Sequence, residues 1–312
     1  MHEGAAAEQA VAQASKRTTS RRELARHDRF EQISPEVGEI DPDGLEQAMA
    51  DDPDATLALL ADMTSATDRR LAELARRLAG RLALDLVRVG GAVPRRAVGR
   101  LATRPWRGDG GDLDVEASLD EIVDARATGR AVDPHELKVH TWARPTLAVA
   151  LCVDRSGSMG GAPLAAAALA AAAVAFREPD DASVLAFGSE VVVVRSQDVP
   201  RPVEAVVCDV LALRGHGTTD VAGVLRVAAE QLRRSRATRK VAVLMSDCRA
   251  NVPGDVVAAA RDLDELLILA PATDDAEARH LADAVGARLV TLDPEAPSTV
   301  PERLALLFDP AA

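Results

Sequence analysis

From residue 146 onward the chain alternates continuous apolar runs with helix-length segments, and that alternation leaves it few ways to fold. LAVALCVD (147–154), SVLAFGS (183–189), VVVVR (191–195), KVAVLMSD (240–247), ELLILA (265–270) and ARLVTL (287–292) read as strands with both faces apolar. An Ala-rich segment at 162–176 and segments at 203–213, 220–234, 254–261, 274–285 and 301–308 read as helices. Such strands belong to a mostly parallel sheet with helices on both faces, because each face must be covered. Strand 191–195 follows its neighbour directly after Gly188–Glu190, so this pair is expected to be an antiparallel hairpin at the sheet edge. The expected fold over 145–312 is α/β and Rossmann-like.

Upstream the pattern is looser. Residues 1–40 read as a polar, partly disordered arm with a basic stretch at 15–30, either a solvated helix or a docking arm. Residues 41–103 read as a helical region: Leu57, Leu60, Met63, Leu71, Leu74, Leu78 and Leu82 recur at helical spacing, Asp54 suits an N-cap, and Gly90-Gly91 stops the run. Residues 104–144 read as a Gly- and Asp-rich linker carrying a short helix at 116–128, with Pro134 and Pro145 punctuating the approach to the next domain. Arg107–Asp109 spells RGD by chance, and His135 and His140 are one residue too far apart for an HExxH zinc motif.

Composition narrows the function classes. The 312 residues are 47 % apolar but only 2 % aromatic, so the core must be built from Ala, Val and Leu. A net charge of −12 argues against nucleic acid and against an anionic membrane surface. Cys152, Cys208 and Cys248 are scattered with no CxxC, as expected of buried thiols in a reducing cytoplasm. The N-terminus lacks the pattern of a secretory signal, and the apolar run at 162–176 falls short of the roughly 20 residues of a membrane span. Lys supplies only three of the 37 basic residues, a codon signature of a GC-rich bacterial genome.

Two strands end in aspartate. VDRSGSMGG presents Asp154, Ser156 and Ser158, LMSDCRA presents Asp247, and GHGTTD between them presents Thr218, Thr219 and Asp220. Ligands of open α/β sheets bind at the carboxyl ends of strands, where both carboxylates are expected. Gly157 permits a tight turn, so one short loop offers a carboxylate and two hydroxyls to a common point, with Thr219 adding a hydroxyl from a second loop. An all-oxygen donor set selects hard cations over zinc. Few carboxylates on a compact loop favour Mg²⁺, with Mn²⁺ or Ca²⁺ as alternatives. Neutral hydroxyl ligands leave the ion enough charge to attract a carboxylate from outside.

The motifs resemble those of von Willebrand factor A-type (VWA) domains. DRSGS (154–158) matches the DxSxS signature of the metal-ion-dependent adhesion site, GTTD (217–220) its GGTD loop, and MSD (245–247) its third motif. The resemblance implies Ser156, Ser158 and Thr219 as hydroxyl ligands, with Asp154 and Asp247 often acting through water. Thr218 stands where Gly is usual, which leaves open which Thr binds. A helical segment before a C-terminal VWA domain is also similar to bacterial proteins that work beside MoxR-type AAA+ ATPases, and to the VWA subunits of magnesium chelatase. The sequence holds no P-loop, so an ATPase would be a separate chain.

The resemblance implies a non-enzymatic adaptor whose ion is completed by an Asp or Glu of a partner protein. A magnesium-chelatase-like subunit for metal insertion is the alternative. The enzymatic rival is a serine hydrolase using Ser158, with His216 or His280 as base. It is disfavoured because SGSMG departs from the GxSxG elbow at Ser156.

Overall fold

The computed structural model describes residues 18–89, 100–106, 112–143, 146–155, 161–213 and 217–308. The chain divides into a larger unit, 1–94 with 147–312, and a smaller one, 95–146.

The apolar runs of the larger unit form β4 (Leu147–Asp154), β5 (Ala182–Phe187), β6 (Val191–Arg195), β7 (Arg239–Met245), β8 (Glu265–Pro271) and β9 (Arg288–Leu292). They make one sheet in the order β6-β5-β4-β7-β8-β9. Every pairing is parallel except the edge hairpin β5–β6, as the short connection requires. Alternate residues of each strand feed opposite cores. Val149, Leu151 and Val153 of β4 face one cluster, and Ala148, Ala150 and Cys152 face the other.

The second face is covered by α9 (Val221–Arg234), α10 (Val256–Arg261) and α11 (Ala276–Val285). On the first face lie α7 (Gly161–Arg177), α8 (Val203–Ala212) and α12 (Val300–Phe308). All residues from Leu164 to Ala175 of α7 are buried. A helix apolar all round needs cover all round. The sheet covers one side of α7, while α4 (Pro53–Met63) and α5 (Arg69–Val89) pack on its other side, α5 also reaching α8. No helix among the described residues is long and apolar enough to cross a membrane.

The N-terminal helices are therefore a further layer of the same body, outside α7. One hydrophobic cluster runs from Leu24 and Phe30 through Leu60 and Leu71 to Val149 and Leu269. The sequence pattern suggests a boundary between a helical region ending at 103 and a domain beginning at 145, but the two share this core. The pattern also hides a break: 54–88 is two helices, α4 and α5, and the N-cap of α4 is Asp52, whose side chain accepts from Ala55 N at 3.0 Å. Asp54 instead accepts from Ser298 N at 2.7 Å and Ser298 Oγ at 3.0 Å, tying the start of α4 to the turn before α12.

Residues 18–40 are likewise ordered. α1 (Arg21–Leu24) carries a Ser20–Glu23 capping box, α2 (Phe30–Ile33) follows, and Leu24, Phe30 and Ile33 are buried. The arm expected over 1–40 is thus not found over 18–40, and its remainder lies outside the described residues. α3 (Pro42–Asp51) leads into α4.

In the smaller unit, β1 (Arg100–Pro105) and β2 (Asp112–Leu113) flank β3 (Lys138–Ala143) in an antiparallel sheet, with helix α6 (Leu119–Thr128) between β2 and β3. The sequence pattern points to a linker with a short helix over 104–144. The helix is there, but Asp112–Leu113 and Lys138–Ala143 pair in a sheet with Arg100–Pro105, whose first four residues fall in the stretch expected to be helical; β1 and β3 find each other across more than thirty residues without a continuous apolar run to announce them. Asp114 accepts from Ala117 N at 2.9 Å and Thr103 Oγ1 at 2.7 Å. Glu121 takes a two-pronged pair from Arg130 at 2.8 and 2.9 Å, which holds its carboxyl down to about 2.

Candidate metal centre

β4 and β7 are adjacent and parallel, so the residues beyond their carboxyl ends emerge at the same edge of the sheet. Asp154 is the last residue of β4 and only 9 % exposed. Its Oδ2 accepts a 2.6 Å hydrogen bond from Ser246 Oγ, which lies just beyond β7. Ser246 Oγ also accepts from Cys248 N at 3.0 Å. One buried hydroxyl thereby joins the two strand ends, and Ser246 N donates to Leu269 O of β8 at 3.1 Å.

Asp247 follows Ser246 and is half-buried, with Oδ1 accepting from Arg249 N at 2.9 Å. Next comes Cys248 at φ 62°, the one left-handed non-glycine residue among those described. Such a backbone costs about 1–3 kcal/mol and persists where its surroundings hold it. Here the holders are Ser246 Oγ and the Ala250 N–H, which donates to Cys248 O at 2.9 Å. Burial first, then the Asp247 and Asp154 charges, push the Cys248 thiol up to about 12. Both carboxylates thus act on one buried sulfur.

Asp154 and Asp247 line a cavity of about 310 Å³ at the carboxyl ends of β4, β7, β8 and β9, which Asp274 and Asp293 also line. Leu269, Pro271 and Leu292 contribute apolar wall. Asp274 is paired with Arg249 at 2.7 Å.

Thr219 is 3 % exposed and held twice by Asn251. Thr219 N donates to Asn251 Oδ1 at 2.6 Å, and Asn251 N donates to Thr219 O at 3.2 Å. Asp220 then caps α9 by accepting from Gly223 N at 2.8 Å, while its own N–H donates to Gly188 O beyond β5 at 2.9 Å. The Thr219 loop is therefore anchored both to the segment after Asp247 and to the end of β5, next to β4. Thr218 is exposed, so burial and anchoring single out Thr219 of the two.

Ser156 and Ser158 lie outside the described residues, as does His216. The structure thus brings Asp154 and Asp247 to one cavity and fixes Thr219 on flanking backbone. His280 is exposed on α11 and does not line the cavity. Among the described residues no group of three or more His, Cys, Asp or Glu side chains is placed to hold a metal ion. The two carboxylates at the cavity are hard oxygen donors, a chemistry that fits a hard divalent cation.

The sequence pattern does not single out Ser246 and Asn251, which hold Asp154 and Thr219. Ser246 stands inside the MSD motif, but its partner is 92 residues away and no local signal marks the bond. Arg155, directly after Asp154, is also buried, and burial lowers the pKa of its guanidinium against the opposing pull of Glu190.

No curated protein matches the chain. Among solved structures it is similar to a von Willebrand factor type A protein from Catenulispora acidiphila, at 18 % identity and TM-score 0.43, covering 53 % of this chain and 43 % of that one. It is similar to proximal thread matrix protein 1 from the mussel byssus, at 13 % identity and TM-score 0.44, covering 53 % and 48 %. The matched part thus spans less than half of either protein. A third likeness is to manganese-loaded Plasmodium vivax TRAP protein, at 16 % identity and TM-score 0.40, covering 50 % and 72 %. Residues 149–250 match the family model of the von Willebrand factor type A domain, and the chain carries such a domain there.

Proposed function

We propose that this chain is a non-enzymatic adaptor that grips a partner protein through a divalent cation held by Asp154, Ser156, Ser158, Thr219 and Asp247. Mg²⁺ is the first choice, with Mn²⁺ or Ca²⁺ as alternatives. The observation that supports this most is the buried Asp154 carboxylate at the end of β4, oriented by Ser246 and lining the same cavity as Asp247. When bound, the cation supplies a Lewis-acidic position for an Asp or Glu of the partner. Ser246 holds the Asp154 carboxylate so that it need not reorganise. Asn251 fixes the backbone that carries the Thr219 hydroxyl.

The partner in this reading is a MoxR-type AAA+ ATPase or its client in a bacterial cytoplasm, the 312 residues themselves carrying no P-loop. Pull-down from native lysate with Mg²⁺, repeated in EDTA, tests the reading. Wild type should capture its partner only with the ion, and Asp154→Ala should lose both metal affinity and capture while staying folded. Normal capture by Asp154→Ala in EDTA refutes the mechanism. ATP turnover by the pure chain refutes the non-enzymatic assignment.

A further inference from the structure

In the smaller unit, helix α6 turns one face inward and carries an ordered pattern on the other. Ser118, its N-cap, is buried and tied to β3: Lys138 N donates to Ser118 Oγ at 2.9 Å, and Ser118 Oγ donates to Lys138 O at 3.2 Å. Ala125 is fully buried, while Glu121 and Ile122 are half-buried. At 3.6 residues per turn these four lie on one side of the helix.

The other side bears two parallel stripes. Val115, Leu119 and Val123 stand four residues apart, each at least half exposed. Val115 belongs to the stripe because the chain is already coiled ahead of the helix: Ser118 N donates to Asp114 O at 3.0 Å, and Ala117 N donates to Asp114 Oδ1 at 2.9 Å. Glu116, Asp120 and Asp124 repeat the same spacing one residue on, and all three are exposed. Asp124 pairs with Arg130 at 2.9 Å. Arg126 stands beyond Val123 at the carboxyl end of the apolar stripe. Of the eight large apolar residues exposed among those described, five lie between 113 and 132, so the exposure is concentrated here. Apolar exposure gathered in one place and rimmed by charge marks an interaction surface, whereas single exposed residues need no explanation.

We propose that this face of α6 docks a basic amphipathic helix of another protein, one that sets apolar side chains on Val115, Leu119 and Val123 and a row of Lys or Arg along Glu116, Asp120 and Asp124. Charge selects this occupant. The acidic row repels anionic lipid and nucleic acid. A second copy of the face has no cations to offer it, since the chain has no Lys or Arg from 112 to 125. Apolar stripes four residues apart suit the ridges of a second helix, and apolar anchors of that spacing are how a helix is recognised by a partner surface. The carboxylates flank one side only, so they fix the direction of the bound helix as well as its charge. None of these residues belongs to the metal site, and the contact needs no ion.

The test titrates the full chain, in EDTA, into a fluorescein-labelled helical peptide of Leu and Lys, its Leu residues four apart and its Lys residues on one flank, read by fluorescence anisotropy. A counterpart peptide has Glu in place of Lys. Wild type should bind the Lys peptide saturably, at least about tenfold more tightly than the Glu peptide, and more weakly as salt is raised. Leu119→Ser should weaken the Lys peptide at least about tenfold, the scale of one buried Leu side chain. Asp120→Lys should weaken the Lys peptide and strengthen the Glu peptide, a reversal that a merely damaged fold does not produce. Leu306→Ser removes an exposed Leu from α12 and should leave both affinities unchanged. Absence of saturable binding by wild type, wild-type affinity in Leu119→Ser, an equal loss in Leu306→Ser, or no reversal in Asp120→Lys overturns the proposal. A concentration-dependent dimer in sedimentation that Leu119→Ser abolishes assigns the face to a second copy and overturns it too. Because the chelator is present throughout, failure here and failure of the metal-dependent grip are separate results.

Discussion

Replacing Ser246 by Ala removes one oxygen and two hydrogen bonds at the centre of the site. The hydroxyl donates to Asp154 Oδ2 at 2.6 Å and accepts from Cys248 N at 3.0 Å. A hydrogen bond to a charged group is worth about 1.5–3 kcal/mol net, and leaving a buried donor unsatisfied adds to the loss. Ser246 is 5 % exposed, so water cannot readily stand in. The Ser246→Ala variant should therefore lose about 2–3 kcal/mol in EDTA, a fall in Tm of at least about 4 °C for a body of this size. The left-handed Cys248 loses one of its holders as well, and the Asp247 that precedes it becomes less fixed. Outer-shell partners of ligands are typically worth 10–100-fold in metal affinity, so the Mg²⁺ dissociation constant should rise by at least about tenfold. Calorimetric titration with MgCl₂ and thermal unfolding with and without EDTA measure both quantities. A variant with wild-type affinity and wild-type Tm would show that the Asp154–Ser246 bond neither orients the carboxylate nor stabilises the fold.

Two further outcomes concern stability and one concerns chemistry. Ala171 is fully buried in the middle of α7, between the sheet and α4–α5. Ala171→Leu should cost about 1–3 kcal/mol through overpacking, read by urea unfolding; a neutral result would mean that the helical layer packs loosely. Glu121 has its folded pKa lowered from 4.5 to about 2, mainly by Arg130. The stability it adds is present above pH 4.5 and is lost as pH falls towards about 2. Both tryptophans, Trp106 and Trp142, lie in 95–146, so fluorescence reads this unit alone; Glu121→Gln should flatten its acid transition, and an unchanged transition contradicts the assignment. Burial raises the pKa of all three thiols. Ellman's reagent at pH 8 should therefore react slowly with native protein and fully with unfolded protein, and rapid native labelling of Cys152 or Cys248 counts against their burial.

The sheet is legible because its strands announce themselves locally. β4, β7 and β8 each contain an unbroken apolar run, and the short Gly188–Glu190 connection alone dictates the antiparallel edge. The positions of Asp154, Thr219 and Asp247 along the chain are legible for the same reason, each standing at or just beyond the end of a recognisable element. Less is legible where pairing is long-range and the partners carry no run of apolar residues. RLATRP and KVHTWA pair residue for residue from Arg100↔Ala143 to Pro105↔Lys138, yet the first straddles the end of the stretch that reads as helical and the second is polar enough to read as linker. The Ser20–Glu23 capping box is present in the sequence as SRRE, but the basic residues around it mask the signal.

The Ala-rich helix shows how composition and architecture constrain each other. With 2 % aromatics the chain cannot fill wide gaps between layers with large rings. It brings backbones close instead, and α7 with its small side chains is the element that permits close approach from both sides. That second covering layer cannot be read from α7 itself, since an apolar run is equally compatible with one sheet face and a lipid or protein contact on the other. It follows from α5, whose amphipathic pattern needs an apolar surface, and from α4, which is buried nearly all round. Once α4 lies on α7, the carboxyl end of α4 stands over the amino end of α7, and a polar side chain there must find a partner. Asp62 finds the Gly161 N–H. The bond between the helical layer and the first residue of α7 is thus a consequence of how an aromatic-poor core packs.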